Sequence, residues 1–496
     1  MTIEFLFDWL KKYGVYLLLI CLLILHLPFL TCDPVLNFCG SRGPFTDEGF
    51  YLFQIRNYLN GHGFNLYASD AALKTPLFSL FFLLPFKIFG IHLYIARAFA
   101  LLFCFAPLML VANRGKLKAL MSAMLLLGLS QTFLFQYTHY AMAEMIACCW
   151  IFCGLVFLFR YYEEALLRDL LSACVIFLLV FLLKIQFAYF LLIPVVLLIG
   201  ICIVRYKSGH HKKAFLHFFY FTALTGLVLV LFYMIWYHPR QAFFRYIVLK
   251  HYDFPTSWSD AWTNVKFNYE HILLNDDLRV ITYSSYFFLF IGVTMLLFFR
   301  TSREFKFIFA ACILWVGIET HKLSFSYIPI RYLLPMLFAA MLLISLVVSE
   351  SVRIAFRSSN RTMFKYLLMF IVLGVSFNLG LENSRQLKSL VCGRTYIMKE
   401  LNSYIKSTIP GQGIIVGNWA PSLTWEVPNE TMVVASHFLN DEKMFTTVQP
   451  VAIVTEEDEA DSDGAFKNRG IDLGARSDSI RHAKVGRWQL EICRIR

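Results

Sequence analysis

The chain has 496 residues, of which 58% are hydrophobic and only 16% charged, with 51 Phe. An ordinary soluble domain carries about 25% charge, so a soluble enzyme, a disordered protein and a secreted disulfide scaffold are all excluded. The net charge of +12 does not mark a nucleic-acid binder. Its Lys and Arg sit in short clusters between apolar runs, which is how cytoplasmic loops are marked.

A spanning helix needs about 20 apolar residues. The first such run, Gly14 to Thr31, follows Lys11 and Lys12, and no small-residue cleavage site comes after it. This predicts a retained signal anchor with its N-terminus in the cytoplasm. Further runs near 93–113, 118–136, 141–160, 167–183, 185–204, 214–236, 281–299, 305–320, 329–349 and 364–381 bring the expectation to about eleven spans. The fold class is therefore an all-α polytopic membrane protein with juxtamembrane helices. If the first helix runs outward, Arg114/Lys116/Lys118, Arg160/Arg168, Arg205/Lys207/Lys212/Lys213, Arg300/Arg303/Lys306 and Arg353/Arg357/Arg361/Lys365 all face the cytoplasm, as positive loops should. That threading refuses a crossing to Pro76–Phe89, which contains Pro85 and Lys87. At about 14 residues it suits an interfacial or re-entrant segment.

Three pieces then lie on the non-cytoplasmic side. The first loop covers 32–92. A second, 237–280, carries the interfacial aromatics Tyr246, Tyr252, Trp258, Trp262 and Tyr269. The third, 383–496, follows a membrane part of 1–382 and turns rich in Ser, Asp, Glu and Gly. A helix over 394–407 and β-branched runs at 413–417, 432–435 and 451–454 predict a small α/β domain there. Glu456–Asp463 reads as a solvated acidic loop, and Trp419 and Trp425 as core aromatics or as platforms for a sugar or headgroup. Four of the twelve Cys, namely Cys32, Cys39, Cys392 and Cys493, lie outside the apolar runs. An oxidising compartment would permit two disulfides among them.

The chemistry-bearing residues converge on that same side. Asp47 and Glu48 open a helical stretch from Phe45 to Leu59, with Thr46 as its cap. They are either helix-starting carboxylates or a catalytic pair. Lys74, before Thr75-Pro76, is a membrane-edge anchor or a ligand. Glu144 begins one span, Lys184 sits between two, and Arg331-Tyr332 opens another. An ionisable residue in an apolar run is by default a functional candidate.

In order, Asp47-Glu48, Leu59-Asn60-Gly61, Lys74-Thr75-Pro76-Leu77-Phe78, Phe89-Gly90, Arg97, Glu144, Lys184 and Arg331-Tyr332-Leu333-Leu334-Pro335 resemble the polytopic GT-C glycosyltransferases. The likeness is to lipid A aminoarabinose transferases, protein O-mannosyltransferases and related enzymes using polyprenyl-phosphate sugars. It covers roughly Leu6 to Ser345. Thr75 replaces a frequent second Pro, and Glu stands at 144 where that family often has Asp. The resemblance implies a GT-C-like fold in the inner (cell) membrane. It also implies inverting transfer of a sugar from a polyprenyl-phosphate donor to a glycan, lipid or protein hydroxyl on the periplasmic or extracytoplasmic side. Within that reading Asp47 is the general base, with Glu48 and Glu144 as further catalytic carboxylates. Lys74 and Arg331 bind the donor phosphate, with Lys184 and Tyr332 in support. Asp47 and Glu144 could share a divalent cation, Mg²⁺ or Mn²⁺, or Zn²⁺ if His62 or His139 takes part. Two other readings stay open. One is an oligosaccharide ligase or polymerase using a lipid-diphosphate glycan. The other is a non-catalytic transporter, against which the absence of an internal repeat and of midplane charges argues.

Overall fold

The structure is a computed structural model that describes residues 3–63, 65, 76–112, 117–207, 211–242, 255–274, 276–326, 328–356, 362–437 and 439–496. Among the described residues, nine helices are long and apolar enough to cross a membrane, and a bent pair makes up to ten. Only helices satisfy their own backbone in hydrocarbon, and runs of Leu, Phe and Ile supply the lipid-facing side chains. The chain is a multi-pass membrane protein. Three helices define its geometry here: α1 (Ile3–His26), α2 (Gly43–Leu59) and, after the short α3 (Pro76–Phe81) and α4 (Leu83–Phe89), α5 (Leu93–Ala112). Helices α3 and α4 break at Phe82 and are together too short to span, and Leu84, Ile88 and Phe89 of α4 are exposed.

The expected span at 118–136 is not one straight helix. Helix α6 (Lys118–Ala123) continues through a π turn to Gly128, and α7 (Thr132–Thr138) leaves at 95°. The polar run Ser130-Gln131-Thr132 makes the break tolerable. Gln131 caps α7 by accepting from the Phe133 and Leu134 N–H groups at 2.9 and 3.2 Å. Asn383, distant in sequence, accepts from the Thr132 N–H at 2.6 Å and donates to the Ser130 carbonyl at 2.7 Å. Backbone freed by the bend is thus satisfied by side chains, the condition for irregular chain at membrane depth.

Helices α8 (Ala143–Glu164) and α9 (Leu167–Leu183) follow, and α9 with its 17 residues is one of the expected spans, just shorter than the nine. Then come α10 (Leu192–Lys207), α11 (His211–Phe232), the surface helix α12 (Trp258–Asn268), α13 (Asp276–Phe298), α14 (Arg303–Glu319), α15 (Ile330–Ala355) and α16 (Thr362–Cys392). Trp258 and Trp262 stand exposed on α12, as aromatics of a membrane interface do. Tyr246 and Tyr252 lie outside the described residues.

The C-terminal part is an α/β unit. Helix α17 (Ile397–Thr408) precedes β1 (Ile414–Val416), β2 (Glu430–Met432), β3 (Pro450–Glu456), β4 (Ser477–Val485) and β5 (Trp488–Ile495), in sheet order β2-β1-β3-β5-β4. The first three strands are parallel and the β4–β5 hairpin is antiparallel. That hairpin was not expected from the sequence. Its two-residue Gly486-Arg487 turn, with Gly486 at φ 58°, is the signal that could have revealed it. Asp33 caps α17 from across the chain, accepting from the Ile397 and Met398 N–H groups at 2.7 and 3.1 Å.

Helix α2 lies between the two parts and packs on both. Tyr51, Leu52 and Ile55 pack into the membrane core, while Phe45 packs with Trp419 and Trp488 of the C-terminal unit. Arg56 donates to the Pro421 carbonyl and, at 2.6 Å, to that of Thr424. Asn57 exchanges two hydrogen bonds with the Thr431 backbone, at 2.8 and 3.0 Å. Arg42, just before α2, pairs with Glu456 at 3.0 Å and with Asp461.

Three expectations need correction. Helix α2 begins at Gly43, so Thr46 is not its cap and Asp47 and Glu48 fall outside its first turn. The acidic run is not simply solvated: Glu456 and Asp463 are buried, and Glu456 accepts from the Trp419 indole at 3.1 Å. The disulfides do not form as a set. Cys32, Cys392 and Cys493 are free thiols, with Cys493 buried in β5, and the Cys39 side chain lies outside the described residues.

Candidate functional site

Helix α2 presents Gly43, Asp47 and Tyr51 at four-residue spacing, hence on one face. Onto that face comes Arg331, from the first turn of α15. Its Nη2 lies 3.4 Å from Asp47 Oδ2, an ion pair looser than a tight fork. The side chains of Arg331 and Asp47 are 14% and 16% exposed, so the pair is less deeply buried than its neighbours. Gly43 makes room, because a β-carbon there would overlap the Arg331 guanidinium. Tyr51 Oη donates to the same Asp47 Oδ2 at 3.0 Å. Burial pushes the Tyr51 phenol well up, with the Asp47 and Glu144 carboxylates adding to it, so it stays protonated as a donor.

Glu144, in the first turn of α8, sits deeper. Its Oε1 accepts from Lys184 Nζ at 2.6 Å, and both side chains are only 2% exposed. Lys184 links back to the first group through Tyr332, whose ring lies 5.4 Å from Lys184 Nζ and 5.2 Å from the Arg331 guanidinium. Such cation–ring contacts are worth about 0.5–2 kcal/mol each. Asp47, Arg331, Tyr332, Lys184 and Glu144 therefore form one continuous cluster, on a face of α2 different from the one that Gly49 and Arg56 present to the C-terminal unit.

Glu48 does not join it. Adjacent helical residues point about 100° apart, and Glu48 turns into the protein. Its oxygens accept from Arg97 Nε and Nη2 at 2.9 and 2.6 Å and from the Ala141 N–H at 2.7 Å. Arg97, fully buried, also donates to the Phe29 and Cys32 carbonyls at 3.2 and 2.5 Å. This is a buried fork joining α2 to α5, in which both Glu48 oxygens already accept hydrogen bonds. Lys74 lies outside the described residues.

The chain's fit to a divalent cation is poor in this arrangement, because Asp47 and Glu144 each face a cationic side chain already. His62 is exposed with Nε2 2.7 Å from the Pro428 carbonyl, and His139 is buried with Nδ1 3.1 Å from His26 Nδ1. Neither reaches Asp47. Among the described residues, the group of three or more metal-type ligands drawn together is Glu457, His482 and Glu491, in the C-terminal unit. Trp419 is buried, and Trp425 lies under the Arg56 guanidinium at 4.6 Å, so both are core aromatics rather than open platforms.

Sequence reasoning missed a third buried ion pair. Glu319, at the end of α14, accepts from Lys322 Nζ at 2.7 Å and from Tyr189 Oη at 2.7 Å. Lys322 also donates to the Tyr332 carbonyl at 2.8 Å. The signal was available as two ionisable residues at i, i+3 where an apolar run ends.

No family model matches the chain, and no curated protein matches it by sequence. Solved structures do match its fold. The crystal structure of ArnT from Cupriavidus metallidurans bound to undecaprenyl phosphate is 14% identical, with a TM-score of 0.53 over 97% of this chain and 98% of that one. The apo ArnT structure from the same organism is 13% identical, with a TM-score of 0.58 over the same shares. The chain has a GT-C-like fold. In this GT-C-like frame both the helical bundle and the small sheet unit have counterparts, since the match runs through nearly the whole of each chain.

Proposed function

We propose that the protein is a membrane glycosyltransferase that moves a sugar from a polyprenyl-phosphate donor to an acceptor hydroxyl. The observation that carries this reading is the partly exposed ion pair of Asp47 with Arg331, in a fold whose solved neighbour is bound to undecaprenyl phosphate. A donor anchored by a polyprenyl tail stays in the bilayer, and in this reading its phosphate meets the Asp47–Arg331 pair.

In the proposed reaction the donor phosphate draws Arg331 away from Asp47. The freed carboxylate takes the proton of the acceptor hydroxyl. The acceptor oxygen bonds to the anomeric carbon from the face opposite the phosphate, and the carbon–oxygen bond to phosphate breaks. The electron pair leaves with the polyprenyl phosphate, whose charge is held by Arg331 and by Lys74, which follows α2 in sequence. A positioned base is worth about 10²–10⁴ in rate, and preorganised cations on a leaving phosphate add electrostatic stabilisation. Tyr51 orients Asp47, while Glu144 holds Lys184 against Tyr332. Glu48 supports α2 and takes no part in proton transfer. In this reading the positive loops stay in the cytosol, so that this face and the C-terminal unit lie outside it and the N-terminus inside.

Mass spectrometry of lipids from cells with and without the protein tests the reading. A polyprenyl-phosphate sugar that accumulates in its absence supports transfer, and an unchanged pool contradicts it.

A further inference from the structure

Helix α15 carries Arg331 and Tyr332 on its first turn, and that turn is poorly self-supported. Pro335 lies inside the helix and has no N–H to give to the Arg331 carbonyl four residues back, while its ring crowds that carbonyl. The helix bond that the Arg331 carbonyl would normally accept is missing there.

A neighbouring polar network bonds the same turn one residue further on. Lys322 Nζ reaches the Tyr332 carbonyl at 2.8 Å, and is itself fixed by Glu319 Oε2 at 2.7 Å. The other Glu319 oxygen accepts from Tyr189 Oη at 2.7 Å, and Lys322 lies 5.3 Å over the Tyr189 ring. Tyr189 belongs to the 3₁₀ turn Ile185–Leu191, which begins right after Lys184. One network therefore grips the α15 first turn from the backbone side and the Lys184 segment from the other. Glu319 and Lys322 are buried, and charges taken out of water are kept only when paired and fully bonded. Packing alone would be served by apolar residues at these positions.

We infer that Glu319, Lys322 and Tyr189 are positioning residues, which hold the first turn of α15 so that Arg331 is set for the donor phosphate, without touching it. The inference rests on the donor reading above. Its test is a double-mutant cycle on undecaprenyl phosphate binding by the full-length protein in lipid nanodiscs. Tyr189→Phe removes one hydrogen bond and leaves both charges. Glu319→Gln with Lys322→Met removes both charges together, so that neither is stranded. Each is expected to weaken binding roughly tenfold, the scale of losing a buried charge-assisted hydrogen bond. Lys322→Arg, which keeps a cationic donor, is expected to retain most of the affinity. In an Arg331→Ala background, the further loss from Tyr189→Phe is expected to vanish, because the network acts through Arg331. Wild-type affinity in both network variants would overturn the inference, and so would the same tenfold loss with Arg331 already absent. A wild-type protein that does not bind undecaprenyl phosphate overturns the donor reading itself, an outcome distinct from either.

Discussion

Arg331 lies directly across Gly43, one helical turn ahead of its carboxylate partner Asp47. The absent side chain at 43 is what lets the guanidinium reach α2. The obstructing atoms are the tip of a flexible side chain, so Gly43→Ala is expected to leave the fold intact while Arg331 shifts. Undecaprenyl phosphate binding should fall about tenfold, equivalent to about 1.4 kcal/mol, with the thermal midpoint unchanged or slightly raised, since Ala favours helix over Gly. Binding at the wild-type level would show that Arg331 does not need this berth.

Gly49, two turns further on, supplies a contrast. A β-carbon there meets the Pro421 backbone of the C-terminal unit, which cannot swing aside as a guanidinium can. Gly49→Ala should loosen the docking of that unit on α2 by about 1–3 kcal/mol, the range for overpacking. Hydrogen exchange is the measurement: amides around Thr424 and Thr431 should exchange faster, while those within α15 stay as they were.

Glu48 and Asp47 are sequence neighbours with opposite fates. Glu48→Gln breaks a buried fork with Arg97 and leaves Arg97 without its counter-charge, a loss of about 3–5 kcal/mol for such pairs. The expected result is less folded protein in detergent, read as a lower thermal midpoint by several degrees. Asp47→Asn leaves that midpoint close to the wild type. Equal midpoints for both variants would contradict the structural assignment of Glu48.

Much of this site was legible in the chain, for one physical reason. Glu144, Lys184 and Arg331 are ionisable residues at the ends of apolar runs, and the threading expected from the positive loops brings all of them to one side. What stayed hidden depended on direction. Asp47 and Glu48 are adjacent in the sequence, yet the helical rotation sends one to Arg331 and the other to Arg97. The bend at Ser130–Thr132 could not be foreseen because its satisfaction comes from Asn383, some 250 positions away. The cap on α17 comes likewise from Asp33. Glu319 and Lys322 carried the same signal as Glu144, but at the end of a run that the family likeness did not flag.

The central claim is that Asp47 takes the acceptor proton, and it is tested most directly by replacing only that oxygen. Cells whose sole copy carries Asp47→Asn, at wild-type protein level, are compared with wild type by lipid mass spectrometry. The account predicts that a polyprenyl-phosphate sugar accumulates as it does when the protein is absent, with transfer lowered by about 10²-fold or more. A polyprenyl-phosphate sugar pool matching that of wild type would contradict it.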